Sequence, residues 1–127
     1  MPIVTVQKVA IRLICNLKSK EHTSLYFKQL NILKFTDLVE FKIIMLMFKA
    51  GKNSLPDNLQ CLFQNKVDRV YVTRKSCNFI VKYSKTKIKS NCLSIIGVKS
   101  WNQLEENLKS CKSLVKFKMM FKSLYLS

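Results

Sequence analysis

Residues 90–110 read S-N-C-L-S-I-I-G-V-K-S-W-N-Q-L-E-E-N-L-K-S, and how they are read decides the fold. They hold the only Trp, Trp101, and one of the two Gly, Gly97. Leu93 and Ile95 alternate with Ser94 ahead of Ile96 and Gly97, the pattern of a half-buried strand meeting a turn. Trp101, Leu104 and Leu108 then recur at helical spacing, which puts one apolar stripe inward. The expectation is a β-to-α corner plugged by Trp101. A large aromatic carries core energy first, so the corner reads as a packing site.

Upstream, Phe79, Val81 and Tyr83 alternate with Ile80 and Lys82, a second strand signal. Residues 84–91 would then be the loop of a β-hairpin returning through 93–96. Lys85, Lys87 and Lys89 occupy every second position, so on an extended chain they share one side. Residues 64–77 are polar and charged, and read as a basic connector.

Four helices are expected ahead of it. Val6, Val9, Ile11, Leu13, Ile14 and Leu17 mark the first, with Lys8 and Arg12 on its wet side. Leu25, Tyr26, Phe27 and Leu30 mark the second, ending near Asn31. Asp37 and Glu40 suit a capping box for the third, which is apolar over 38–48 apart from Glu40 and Lys42. Gly51 suits a left-handed stop, and Pro56 opens the fourth helix, through Leu59, Leu62 and Phe63. Residues 113–126 close the chain as a helix striped by Leu114, Phe117, Phe121 and Leu124.

The expected fold class is α+β: a mainly helical small domain, with one β-hairpin between the N-terminal helices and a closing C-terminal helix. The single domain 1–127 divides into a helical part (1–63), the connector (64–77), and a hairpin with C-terminal helices (78–127).

A chain of 127 residues suffices for one domain with a real core. A hydrophobic fraction of 48% with eight Phe argues against intrinsic disorder. The net charge is +16, from 23 Lys and Arg against 7 acids, and it points to polyanionic partners: nucleic acid or an acidic membrane surface. Arg12, Arg69 and Arg74 are the only Arg; the Lys majority suits phosphates better than base edges. Five Cys, at 15, 61, 77, 92 and 111, include no C-x-x-C and read as reduced thiols of an intracellular protein, cytoplasmic or nuclear. The opening residues are interrupted by Gln7, Lys8 and Arg12 and lack a basic n-region, so no secretory signal is expected. The longest apolar run, 43–48, is six residues, so no transmembrane segment is expected either.

From 69 to 104 there is no acid, while Arg69, Arg74, Lys75, Lys82, Lys85, Lys87, Lys89 and Lys99 bring eight positive charges. Tyr71, Phe79 and Tyr83 are interleaved with them, as in proteins that pair phosphate-binding cations with rings for unpaired bases. Those eight cations with Tyr71 and Tyr83 are the candidate nucleic-acid-binding residues. The bland alternative is a solvated face. Catalytic constellations are missing. Glu105 and Glu106 are helix neighbours that point apart. His22, the sole His, has no nucleophile or metal partner at a telling spacing, Cys15 included. Gly51 and Gly97 form no phosphate loop. No catalytic residue, metal or cofactor is expected.

The segment G-V-K-S-W-N-Q-L-E (97–105), with Phe117-Lys118 behind it, resembles the C-terminal region of non-LTR (LINE-type) retrotransposon reverse transcriptases. That family shows Gly-Pro, Trp-Asn, Leu-Pro and a Phe-Lys helix in this order. Tyr71, Thr73 and Arg74 resemble its Tyr-x-Thr-Arg, and Lys85-Thr86 stands where Arg-Thr is usual. Upstream, Gln7-Lys8, Arg12, Ile14, His22-Thr23, 30–33, Phe48-Lys49 and Leu55-Pro56 keep the family's order, so the likeness spans nearly the whole chain. Val98 and Glu105 stand where the family has Pro, which softens two rigid turns.

The resemblance implies a diverged copy or fragment of the tail that follows a polymerase core. It makes Arg74, the fork-shaped donor within the matching motif, the first choice for a phosphate clamp. Polymerase chemistry needs converging carboxylates on two metals, supplied in that family by Asp-Asp, and no such pair exists here. The expected function is a non-catalytic segment holding RNA or DNA by its backbone, with low sequence specificity, beside a polymerase core in a longer protein. A protein-interaction or scaffold module docking through the third helix is the alternative, and a translated retroelement relic without selected activity is another. The Lys-flanked last helix also suits an anionic membrane surface, although a core-facing role explains its stripe equally.

Overall fold

The structure, a computed structural model, describes residues 2–63 and 78–127, and among them there are eight helices and no strand. In chain order they are α1 (Ile3–Ile14), α2 (Ser24–Gln29), α3 (Phe35–Gly51), α4 (Asp57–Gln60), α5 (Lys87–Ser90), α6 (Leu93–Gln103), α7 (Glu106–Lys109) and α8 (Leu114–Leu126). The chain forms two compact units, one of Met1–Phe41 with Met119–Ser127 and one of Lys42–Lys118.

The α+β expectation is therefore wrong: the described residues are helical, and the hairpin over 78–96 does not form. Its first arm has no regular structure from 80 to 84, and its second is the start of α6. Four apolar positions are too few to separate a period of two from one of 3.6. In α6 the buried residues are Ile95, Gly97, Val98 and Trp101, at spacings of three and four. Gly97 is no turn residue. A Cβ there would stand 2.9 Å from the Met47 Sδ and 3.4 Å from the Ile43 Cγ2, so its bare Cα lets α6 pack closely on α3.

In the unit Lys42–Lys118 the core is aromatic. Phe48 stacks on Phe117 at 4.5 Å, and Trp101 lies between them and Phe79, with centroids at 6.4, 6.0 and 6.2 Å from Phe48, Phe117 and Phe79. Phe63 meets Phe79 edge-on at 6.1 Å. All five rings are buried, with Ile44, Met47, Ile95 and Val98 filling around them. Aromatic pairs in these offset and edge geometries contribute about 0.5–1.5 kcal/mol each beyond their buried area.

The other unit is built on Ile11, Phe27 and Leu33, with Phe41, Phe121 and Tyr125 in ring contact. Gln7 on α1 replaces the expected capping box at the start of α3. Its Oε1 accepts from the Phe35 N–H at 2.8 Å and its Nε2 donates to the Leu33 carbonyl at 2.9 Å. Burial of Tyr125, with a side-chain hydrogen bond to Glu40, pushes its phenol above the ordinary 10.0. The stripe of α8 runs through Leu114, Phe117, Phe121 and Tyr125, whereas Leu124 is exposed.

Three helices stop in one way. Asn16, Asn31 and Asn53 take φ of 55°, 56° and 52°, and no glycine among the described residues has positive φ. Each Asn N–H donates three residues back, to Leu13, Lys28 and Ala50. The next N–H donates five back, to Arg12, Phe27 and Lys49. That is the Schellman arrangement, with Asn in the left-handed position. Gly51, expected there, is instead the last residue of α3.

Candidate nucleic-acid interface

The segment carrying the candidate lysines is fixed at its start by a polar knot. The Asn102 side chain pairs with the backbone of Phe79: its Oδ1 accepts from the Phe79 N–H and its Nδ2 donates to the Phe79 carbonyl, both at 3.1 Å. Lys109, only 5% exposed, donates to the Asn78 Oδ1 at 2.8 Å, the Asn102 carbonyl at 3.2 Å and the Glu106 carboxylate at 3.4 Å. A buried ammonium is tolerated only with its donors satisfied, and here three acceptors surround it. Side chains from α6 and α7 thus hold the chain at 78–79.

At its other end the segment enters α5. Thr86 is the N-cap, its Oγ1 accepting from the Lys89 N–H at 3.2 Å, and α5 leads through Cys92 into α6. Between these points residues 80–86 alternate between half-buried (Ile80, Lys82, Ser84) and exposed positions.

Of the ten candidate residues, Arg69, Tyr71, Arg74 and Lys75 lie outside the described residues. Lys85, Lys87, Lys89 and Lys99 are exposed and Lys82 is half-buried. Tyr83 is 79% exposed, and Val81 and Ile88 are exposed as well. Phe79 does not belong with the stacking rings, since it is fully buried against Phe63 and Trp101. The one-sided lysine row goes with the hairpin: Lys87 and Lys89 share a helical turn, where neighbours two apart point about 160° away from each other. Lys85 precedes that turn and Lys99 lies on α6.

Asn78, Asn102 and Lys109 were not foreseen as positioning residues. Asn102 follows Trp101 directly, but a buried Lys on a one-turn helix has no local signature. Among the described residues no group of three His, Cys, Asp or Glu is placed to hold a metal ion. No described helix is long and apolar enough to cross a membrane.

No family model matches the chain, and no curated protein or solved structure matches it either. Trp101-Asn102 and Leu108-Lys109 each pair a packing residue with a positioning one. Trp101 joins the core rings, Leu108 is buried, and Asn102 and Lys109 hold the start of the basic segment.

Proposed function

We propose that this chain is a non-catalytic nucleic-acid-binding segment, of the kind that follows the polymerase core of LINE-type reverse transcriptases, acting in cytoplasm or nucleus. The observation that supports it is segment 81–89, V-K-Y-S-K-T-K-I-K: free of acid, mostly exposed, tied at its start through Phe79 and Asn78, and passing at its end through α5 into α6. Tyr83 offers an open ring face to an unpaired base, and Lys85, Lys87 and Lys89 offer ammonium groups to phosphates. The tie at its start and the helix at its end reduce the ordering entropy that binding must offset. With Lys87 and Lys89 on opposite sides of one turn, the bound strand would wrap the segment instead of lying along a flat row. Recognition by this chemistry is nearly blind to sequence.

The scaffold alternative has little surface to use on α3. Ile44, Met45, Met47 and Phe48 are buried, leaving Leu38 and Val39 partly exposed.

Fluorescence anisotropy with labelled single-stranded RNA and DNA tests the proposal. Affinity should fall with salt at about 0.7 log units per decade for each phosphate engaged. Changing Lys85, Lys87 and Lys89 together to Glu should remove most of the binding, and Tyr83→Ala should cost about 1–3 kcal/mol. Binding that stays flat between low and moderate salt, or survives the triple change, overturns it.

A further inference from the structure

α1 rests on its unit along a narrow seam. Ile11 is buried while Val4, Gln7 and Arg12 are half-buried. At 100° per residue Val4, Gln7 and Ile11 fall within about 60° of the helix circumference, and Arg12, beyond Val4, donates from its Nε to the Glu21 carbonyl at 3.3 Å. Away from the seam, Val9, Leu13, Val6, Ala10, Ile3 and Ile14 follow one another around an arc of about 140°. All six are exposed, Ile3 to 58%, Leu13 to 76% and Ile14 to 66%. These are side chains that the apolar pattern assigns to a core, left in water as one contiguous face. Such a face marks an interaction surface.

Charge decides among its occupants. α1 contains no acid, Lys8 and Arg12 border the arc beyond Thr5, and Lys18 and Lys20 stand exposed in the loop that follows. A second copy would bring another +16 to the contact, so self-association is opposed. A nucleic acid would meet the basic edge and leave the apolar arc wet. An anionic bilayer satisfies both parts, since the arc enters the headgroup–acyl boundary while the cations meet headgroup phosphates and carboxylates.

We propose that α1 is an interfacial helix that docks the chain, lying in the plane, on an anionic membrane surface. The proposal stands independently of the nucleic-acid reading, because it uses a different element and an apolar face.

Co-sedimentation of the full chain with vesicles tests it, using phosphatidylcholine alone and phosphatidylcholine mixed with phosphatidylserine. The chain should sediment with the mixed vesicles and far less with the neutral ones. Val6→Gln with Leu13→Gln, both at exposed positions, should abolish sedimentation while leaving the far-UV circular dichroism and the nucleic-acid affinity unchanged. Lys8→Gln with Arg12→Gln should weaken binding to the mixed vesicles about thirtyfold. Equal sedimentation with both vesicle types overturns the proposal, as does unchanged binding by the Val6/Leu13 variant. A concentration-dependent dimer that the Val6/Leu13 variant loses would assign the face to a second copy and overturn it too.

Discussion

The backbone treats Val98 and Glu105 differently as sites for Pro. Val98 is buried inside α6, where Pro would remove a helix hydrogen bond and clash with the preceding turn. Glu105 has φ −63° and follows Leu104 at ψ 152°, the conformations that Pro and a pre-Pro residue adopt without strain. Glu105→Pro should therefore raise the unfolding free energy by about 0.4–1 kcal/mol, and Val98→Pro should lower it by about 3 kcal/mol or more. Urea titrations of the two variants check this. Lys109 offers a second test at this scale. Lys109→Met keeps the apolar stem but leaves the Asn78 and Asn102 oxygens without that donor, at a cost of about 2 kcal/mol. It should also loosen the start of segment 81–89, seen as faster amide exchange at Phe79.

Three of the eight described helices, α1, α2 and α3, are closed by asparagine. Left-handed backbone costs a residue with a Cβ about 1–2 kcal/mol, and Asn tolerates it better than most. Changing Asn16, Asn31 or Asn53 to Ala should therefore destabilise by about 1 kcal/mol, while the change to Gly should be neutral or stabilising. Thermal melts of the six single variants would show the opposite signs. At this scale the sequence was readable for α1 and α8, whose apolar periodicity runs long enough to separate helix from strand, and for α3, whose apolar run is too long for a strand. It misled over residues 78–96. There, a short alternation fitted two geometries, and Gly97 was read as a turn when it serves a close crossing with Met47.

A chain with 23 cationic and 7 acidic side chains repels itself, and Lys109–Glu106 is the one salt bridge among the described residues. Screening should therefore stabilise the fold while it weakens any polyanion complex. The melting temperature is expected to rise between low and moderate salt, by about 4 °C for each kcal/mol of repulsion relieved. Nucleic-acid affinity should fall over the same range. A melting temperature that declines with added salt would mean the charges are compensated in the folded state.

Net charge, the acid-free tract from 69 to 104, the long helices and the burial of Trp101 all followed from the sequence, because composition and extended periodicity are sums over many residues and tolerate local error. Which face of α1 turns inward did not follow. Its apolar arc is wide enough to satisfy a core, yet the hydrogen bonds of Gln7 to Leu33 and Phe35 tie the side next to Ile14 to the unit. The anchoring of segment 81–89 was equally hidden, since it depends on Asn102 and Lys109 reaching back 23 and 31 residues to Phe79 and Asn78. Contacts of that separation leave no periodic trace in the chain, and only the packed molecule brings their partners together.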